Sequence, residues 1–256
     1  NKVLSLPNDI KTTSVEGYDG YVNLDKSFVS KYKYFVAEGL PLYTWYLPKF
    51  AGLDEQTGES LYYKDIIDGN GNISGQETTK DITKATDYLI GDALAKFYGG
   101  FGTTVSYKGL DLSINLNYQI GGKAYDYTYQ TLMHTGGTTA TNWHVDMLNA
   151  WTPENKNTDI PRLLFAETYS QNSRSDRYLT NASYLNIQNI NLGYTLPASI
   201  NNKLNLQRVR VYMAVENPFY ISARRGFDPR YTLQGYTNPV LYSPMRTVSG
   251  GINVTF

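Results

Sequence analysis

The stretch that decides the fold is LDLSINLNYQI, residues 110–120. Apolar side chains occupy every even position from Leu110 to Ile120, and polar side chains occupy every odd position between them. Strict alternation of this kind predicts a β-strand with one apolar face and one wet face. Its eleven residues match the roughly 9–11 residues that a tilted strand needs to cross a bilayer.

Two further segments show the same alternation. In Gln207 to Asn217, valines and a methionine hold odd positions, while arginines and a glutamate among the even positions require water. Residues 246–256 place Val248, Ile252, Val254 and Phe256 on one face, and the chain ends on the aromatic, as expected of a strand that closes a barrel. A soluble sandwich would also bury one face and wet the other, so alternation alone leaves both architectures open.

Less regular strands bring the predicted total to seven. In the fifth of them Leu185 and Ile187 share one parity and Ile190 and Leu192 the other, which predicts a β-bulge at Gln188-Asn189. The predicted strands lie near residues 28–36, 42–52, 98–107, 110–120, 183–195, 207–217 and 246–256.

The predicted connections differ in length on the two sides of the sheet. Glu38 to Pro41 and Lys108-Gly109 are short turns, and Leu196 to Leu206 has room for one helical turn entered through Pro197. The other connections are long loops, at 53–97, 121–182 and 221–245. Short turns on one side and long loops on the other are typical of an outer-membrane barrel, whereas structureless loops of this length are unusual in a compact soluble domain. We therefore expect an all-β antiparallel transmembrane barrel whose long loops lie outside the cell.

Composition is consistent with this expectation. A formal net charge of zero argues against nucleic acid as a partner, and the lack of cysteine excludes disulfides and thiolate chemistry. The chain has 24 tyrosines, which suit aromatic girdles at membrane interfaces. The start at Asn1 carries no secretion signal, so we expect the chain to begin inside a longer protein.

One loop has the pattern of a metal site. Residues 68–77 resemble an EF-hand calcium loop, in which Gly71 makes the sharp turn and Glu77 is the bidentate ligand. Ile66 stands where the first carboxylate is required, so the alternative is a polar turn. The predicted calcium ligands are Asp68, Asn70, Asn72, Ser74 and Glu77.

No catalytic constellation is present in the sequence, so we do not expect an enzyme. His134 and His144 lie in the predicted 121–182 loop and are interpreted as loop contacts rather than ligands. Exposed aromatic rings suit sugar faces and peptide side chains alike, but loop packing explains each loop aromatic more readily, and no substrate site is assigned. The aromatics considered are Trp143, Tyr169, Tyr178, Tyr231 and Tyr236.

A series of short landmarks gives the chain a family resemblance. The landmarks are Ala51-Gly52-Leu53-Asp54 with Thr57-Gly58, Tyr107 to Ser113, Trp151 to Asn155, Asp159 to Arg162, Ser183-Tyr184-Leu185, Asn189 to Pro197, Arg210-Val211-Tyr212, Glu216-Asn217, Gly226 to Pro229, and Arg246 ahead of Phe256. In this order and spacing they resemble the SusC/RagA family of TonB-linked outer-membrane transporters of Bacteroidota.

The resemblance implies a barrel of ~22 strands, of which residues 1–256 would be the C-terminal part, about the last seven strands, with the plug elsewhere. The implied function is energised import of oligosaccharides or peptides across the bacterial outer membrane. The implied partners are the rest of the barrel and its plug, a SusD-like lipoprotein lid, the TonB complex through a missing N-terminal part, and outer-membrane lipid. A passive or structural barrel, such as a porin or an adhesion component, is the alternative, and a soluble β-sandwich binding module is a third interpretation. Residues 246–256 should pair with 207–217 on one edge and with no strand of this chain on the other.

Overall fold

A computed structural model describes residues 1–25, 32–136, 142–164, 171–231, 233–237 and 242–256. Within these ranges the chain is rich in antiparallel strands and has little helix. No helix among the described residues is both long and apolar enough to span a membrane. The strands are β1 Thr13–Val15, β2 Tyr18–Asp25, β3 Tyr32–Ala37, β4 Thr44–Pro48, β5 Phe50–Leu53, β6 Ser60–Ile67, β7 Ile73–Thr79, β8 Asp87–Asp92, β9 Phe97–Tyr107, β10 Leu110–Ile120, β11 Lys123–Tyr125, β12 Leu179–Asn181, β13 Tyr184–Thr195, β14 Arg208–Ser222 and β15 Thr247–Thr255. The α-helices are α1 Tyr127–Leu132 and α2 Ala198–Lys203, and short 3-10 helices cover Asn8–Ile10, Ile82–Lys84, Val145–Asn149, Asp176–Tyr178 and Pro229–Tyr231.

The first of two compact units comprises Asn1–Leu94, Lys123–Thr180 and Tyr231–Pro239. It contains a five-stranded sheet in the order β1-β2-β3-β4-β8 and a three-stranded sheet in the order β5-β6-β7. Its core is aromatic, with the rings of Tyr34 and Trp45 only 4.7 Å apart. The polar ends of both rings are satisfied, because Tyr34 Oη donates to the carbonyl of Gln234 at 2.9 Å and Trp45 Nε1 donates to that of Lys123 at 2.9 Å.

The second unit comprises Ala95–Gly122, Asn181–Arg230 and Val240–Phe256. Its five strands form one antiparallel sheet in the order β15-β14-β13-β10-β9. β9 and β10 are joined by the predicted tight turn, where Lys108 has φ 47° and Gly109 has φ 86°. Two successive positive φ angles make a type I′ turn, whose twist matches that of the flanking strands. The pair then stays in register from Tyr107↔Leu110 to Phe97↔Ile120.

One face of the five-stranded sheet is apolar and exposed. Its side chains form rows that cross neighbouring strands in register. One such row consists of Val105, Leu112, Leu192 and Met213. Exposure reaches 63% for Phe101 and 65% for Ile252 on the outer strands. An apolar surface of this extent against water is strongly unfavourable, so this face requires an apolar environment.

The predicted β-bulge is confirmed in β13. Asn115 pairs with Asn189, but its neighbour Leu116 pairs with Ile187, which leaves Gln188 as the extra residue. The extra residue reverses the parity of β13 at that point. Ile187 and Leu185 therefore remain on the same apolar face as the rest of the strand.

Five of the seven predicted strands form this sheet, with boundaries shifted by a residue or two except that β14 continues to Ser222. The strand predicted at 28–36 falls partly on residues 26–31, which lie outside the described residues, and β3 covers its end. The strand predicted at 42–52 is wrong as a single strand. β4 ends at Pro48, which has no N–H to extend a ladder, and β5 belongs to a different sheet.

The long connections are not structureless, which corrects that expectation. Residues 53–97 contain β6, β7 and β8, and residues 121–182 contain α1 with β11 and β12. Residues that favour turns lie between these strands, but the strands are shorter than β9 and β10 and lack clean alternation of apolar and polar residues. The helical turn predicted after Leu196 is confirmed as α2, which follows Pro197 at its N-cap.

The predicted edge of the sheet is confirmed. β15 pairs with β14 from Arg208↔Thr255 to Glu216↔Thr247. In the sheet order β15 stands last, and among the described residues no strand pairs with its other edge. Its free backbone N–H and C=O groups therefore require a partner strand from outside this part of the chain.

Candidate functional site

The polar face of the five-stranded sheet carries a network of asparagines. Asn115 Nδ2 donates to Asn189 Oδ1 at 3.0 Å, and Asn191 Nδ2 donates to the same oxygen at 3.3 Å. Asn186 Nδ2 donates to Asn117 Oδ1 at 2.9 Å. These side chains share a face because they occupy the odd positions of β10 and their register partners in β13. The result is a wall of amides that satisfy one another and present further donors and acceptors.

An ion pair crosses the same face near the β9–β10 turn. Arg210 Nε donates to Asp111 Oδ1 at 3.1 Å and its Nη2 donates to Oδ2 at 2.5 Å, a forked geometry. The guanidinium passes over Gly193, where a Cβ atom would lie 2.1 Å from Nη2. Glycine at this position therefore leaves the space that the ion pair occupies.

A second arginine fixes the loop that follows β14. Arg230 donates to both carboxylate oxygens of Asp228, at 2.7 and 2.6 Å, and to Asn186 Oδ1 at 2.7 Å. Its guanidinium lies over the Tyr220 ring, 4.4 Å from the centroid. Burial by itself raises the pKa of the Asp228 carboxyl, but the hydrogen bonds from Arg230 outweigh it and hold the pKa below its usual value. The loop is thereby tied to the asparagine network.

In the first unit, landmarks that are distant in sequence meet around Trp151. The Trp151 side chain is buried against Gly58, whose φ is 67° and whose hypothetical Cβ would lie 2.3 Å from the indole ring. Trp151 N donates to the Ile160 carbonyl at 2.9 Å, and Arg162 N donates to the Gly58 carbonyl at 3.0 Å. These landmarks build a structural joint rather than a reactive centre.

Charged side chains surround the same joint. Lys80 pairs with Asp54 at 3.1 Å and with Glu59, and Arg162 pairs with Glu59 at 3.2 Å. The hydrogen bond from Lys80, supported by the backbone N–H of Thr57, lowers the pKa of Asp54 to about 2. The Lys80 hydrogen bond also lowers the pKa of Glu59.

The predicted calcium ligands lie on the β6–β7 hairpin and do not converge. Asp68 Oδ1 accepts from the backbone N–H groups of Asn70 and Asn72, at 2.8 and 2.9 Å, which forms the polar turn. Ser74 Oγ donates to the Ile66 carbonyl at 3.0 Å, and Glu77 pairs with Lys64 at 2.6 Å. Glu77 stands four residues beyond Ile73 along a strand that rises about 3.3 Å per residue, roughly 13 Å from the turn. The five side chains therefore do not fit one calcium ion.

No group of three or more His, Asp or Glu residues within the described ranges is placed to hold a metal ion. His134 is buried and stacks on Trp143 with ring centroids 5.4 Å apart, and Trp143 Nε1 donates to the His134 carbonyl at 2.8 Å. His144 Nδ1 accepts from the Asp146 N–H at 3.2 Å. Both histidines thus contact their own loop.

The five loop aromatics have different environments. Tyr178 is part of the core of the first unit, and Tyr236 packs against that core. Trp143 is 52% exposed. Tyr169 and the side chain of Tyr231 lie outside the described residues. Sequence reasoning did not assign Arg210, Asp111, Arg230 or Asn186 to one polar face, because the pairs are separated by 99 and 44 residues.

An antiparallel sheet with a continuous, exposed apolar face and a hydrogen-bonded polar face is a wall segment of a transmembrane β-barrel. No protein-family model matches the chain. It is 32% identical over 213 residues to TonB-dependent receptor P3 of Formosa agariphila, a match that covers 79% of this chain and 19% of the relative. It is 28% identical over 196 residues to TonB-dependent receptor SusC of Bacteroides thetaiotaomicron, covering 75% of this chain and 17% of SusC.

The solved structure of the RagAB peptide transporter matches the chain with a TM-score of 0.68 and 28% identity, over 87% of this chain and 24% of that one. The chain thus spans about a fifth of the length of the curated relatives it matches, 19% in the case of receptor P3. It is a SusC/RagA-like segment of a TonB-dependent receptor, with the partial β-barrel fold that the landmarks predict. These relatives are receptors and transporters, not enzymes.

Proposed function

We propose that this chain is part of the barrel wall of a TonB-dependent importer in the bacterial outer membrane, which takes up oligosaccharides or peptides under a SusD-like surface lipoprotein. The observation that carries the proposal is that the five-stranded sheet has one mainly apolar face and one mainly polar face. The apolar face suits lipid, and the asparagine network suits a hydrated lumen or a plug packed inside it. The likeness to SusC and to the RagAB transporter supports energised import over other barrel functions.

The polar face also suits the handling of uncharged polar cargo. Asparagine side chains both donate and accept hydrogen bonds, as sugar hydroxyls and peptide groups require. Arg210 and Arg230 are neutralised by Asp111 and Asp228, and Arg208, at the start of β14 on the same face, is exposed. Across the asparagine network, cargo of either class could therefore pass without being held by an unpaired arginine.

The test uses the full-length receptor in its own bacterium. The gene is deleted, and growth is measured on a panel of oligosaccharides and of peptides as sole nutrients. Complementation with the full receptor should restore growth on one class, whereas a receptor without its TonB-contacting segment should not. The control is a nutrient small enough to diffuse through general porins, on which growth should be unchanged throughout.

The same experiment addresses the passive alternative. A porin or structural barrel would restore growth equally with and without the TonB-contacting segment, and that result would overturn energised import. Affinity purification of the full receptor from gently solubilised membranes should also recover a surface lipoprotein in equal amount. Recovery of the receptor alone would contradict the proposed association with a SusD-like lipoprotein.

A further inference from the structure

A groove at one end of the five-stranded sheet is lined by three arginines. Arg224 and Arg225 follow the end of β14, and Arg246 immediately precedes β15. The groove has a volume of about 450 Å³, and no acidic side chain of the described residues lines it. Arg225 and Arg246 are exposed, and neither is ion-paired to a described carboxylate. In a chain whose formal net charge is zero, this is a marked local concentration of positive charge.

A second groove of about 510 Å³ adjoins the first, and both are lined by Ile221 and Ser222. Its walls include Tyr118, Ile120 and Leu185, which belong to the apolar face described above. The two adjoining grooves, together called the depression below, therefore offer an apolar lining next to a cationic one. An amphiphile with hydrocarbon chains and an anionic headgroup has the complementary pattern.

The position of the two grooves points to the same class of ligand. They lie at the ends of β10 and β14 that are remote from the Lys108-Gly109 turn and from Phe256. In the orientation that the proposed function requires, this end of the wall lies in the outer leaflet. Phe219, exposed on the apolar face, lines the arginine groove itself. The groove is thus placed where lipid headgroups meet the barrel.

We propose that this depression binds a phosphate-bearing lipid of the surrounding leaflet, with the phosphate at Arg225 and Arg246 and an acyl chain along Ile221 and Leu185. Guanidinium groups match phosphate geometry with paired N–H donors and are weakly hydrated, so they bind headgroup phosphates well. A soluble anion would use the arginines but would gain nothing from the apolar groove. The orientation in the leaflet rests on the proposed function, but binding of the lipid does not depend on transport.

The experiment measures lipid binding by the full-length receptor purified in neutral detergent. The probe is diphosphorylated lipid A, with dephosphorylated lipid A and inorganic phosphate as comparison ligands, and binding is followed by native mass spectrometry. The test variant is Arg225→Gln with Arg246→Gln. About fivefold weaker binding per lost guanidinium at a membrane surface gives an expected loss of about 25-fold for the two arginines. The dephosphorylated lipid should bind the unaltered receptor as weakly as the test variant binds the phosphorylated probe.

Three controls keep the result interpretable. Arg208→Gln removes one exposed charge from the opposite end of the same strand and should leave lipid binding unchanged. Heat-modifiable migration in gels shows whether each variant is folded, and Arg225→Lys with Arg246→Lys, which retains the charge, should lose only part of the affinity.

Equal binding by the test variant and the unaltered receptor would overturn the proposal, as would an equal loss in Arg208→Gln. Tight binding of inorganic phosphate that displaces the lipid would assign the arginines to a soluble anion instead. Growth assays report separately on import, so a receptor that binds lipid A but does not support growth would contradict only the proposed function.

Discussion

Replacing Gly58 with alanine should loosen the joint around Trp151. The new Cβ would lie 2.3 Å from the indole ring, far inside van der Waals contact, and the ring is buried and cannot turn away freely. Gly58 also has φ 67°, which disfavours a side chain by about 1–2 kcal/mol. Overpacking of a buried ring adds about 1–3 kcal/mol. We expect local stability to fall by about 2–5 kcal/mol.

Hydrogen exchange on the full-length receptor in detergent measures this loss at two reporter amides. Arg162 N bonds to the Gly58 carbonyl and Trp151 N to the Ile160 carbonyl, so both amides are protected only while the joint is closed. A loss of 2–5 kcal/mol corresponds to exchange that is faster by at least about 30-fold when local opening controls the rate.

Gly71→Ala is the matched control. Gly71 has φ 84°, but no atom of the part of the chain that the structure describes lies within 4 Å of its hypothetical Cβ, so this change imposes backbone strain without a clash. It should weaken its own hairpin by about 1–2 kcal/mol and leave the reporter amides unchanged. Gly58→Ala in a Trp151→Leu background should likewise show mainly the strain. If Gly58→Ala leaves both amides as protected as in the unaltered receptor, the predicted clash between the new Cβ and the Trp151 ring is refuted.

Three further outcomes follow from other parts of the molecule. Gly109→Ala should lower the yield of folded, heat-modifiable receptor, because Gly109 has φ 86° and its Cβ would lie 2.5 Å from the Thr195 carbonyl oxygen. Lys108→Asn should be tolerated, since asparagine accepts a left-handed conformation. Equal yields of the two variants would contradict the turn assignment. The contribution of the Lys80–Asp54 pair to local stability should be complete above the ordinary carboxyl pKa of 3.8 and lost as the pH falls through about 2, because the pKa of Asp54 is lowered on folding. Asp54→Asn should therefore flatten the acid side of the amide-protection profile of residues 54–58. An unaltered profile would show that the pair does not stabilise this segment. Glu77→Gln should break the pair with Lys64 and have no effect on calcium binding, measured by isothermal titration; a calcium affinity that this variant abolishes would restore the sequence-based assignment.

The sequence predicts the five-stranded sheet well for a specific physical reason. In β10, β14 and β15 one face meets an apolar environment and the other a polar one, so each residue is selected for its side of the sheet and the alternation is clean. The paired positive φ angles at Lys108-Gly109 are equally local, because two residues determine the turn. The bulge at Gln188 can also be predicted from the sequence, because it reverses the parity of the apolar positions within a single strand.

The rest of the fold depends on contacts between distant residues. β6, β7 and β8 have few strictly alternating positions, so their sheet pairing comes from tertiary packing rather than propensity. The calcium-like pattern at Asp68 to Glu77 also depends on strand pairing. Because Glu77 pairs with Lys64 in a hairpin, Glu77 lies away from the turn that carries Asp68. The polar-face network requires Arg210 to meet Asp111 and Arg230 to meet Asn186, and only the strand order brings those positions together.

The irregularity at Gln188 also has a consequence for how such walls can change length during evolution. At the same level of the sheet β14 carries two residues, Asn217 and Pro218, opposite that single one. A deletion of one residue at almost any other place in β13 would turn its remaining lipid-facing side chains inward. Deleting Gln188 itself would leave a regular strand beside β10, with only the neighbouring β14 to adjust. Natural gains and losses of single residues in related receptors should therefore concentrate at this one level of the wall.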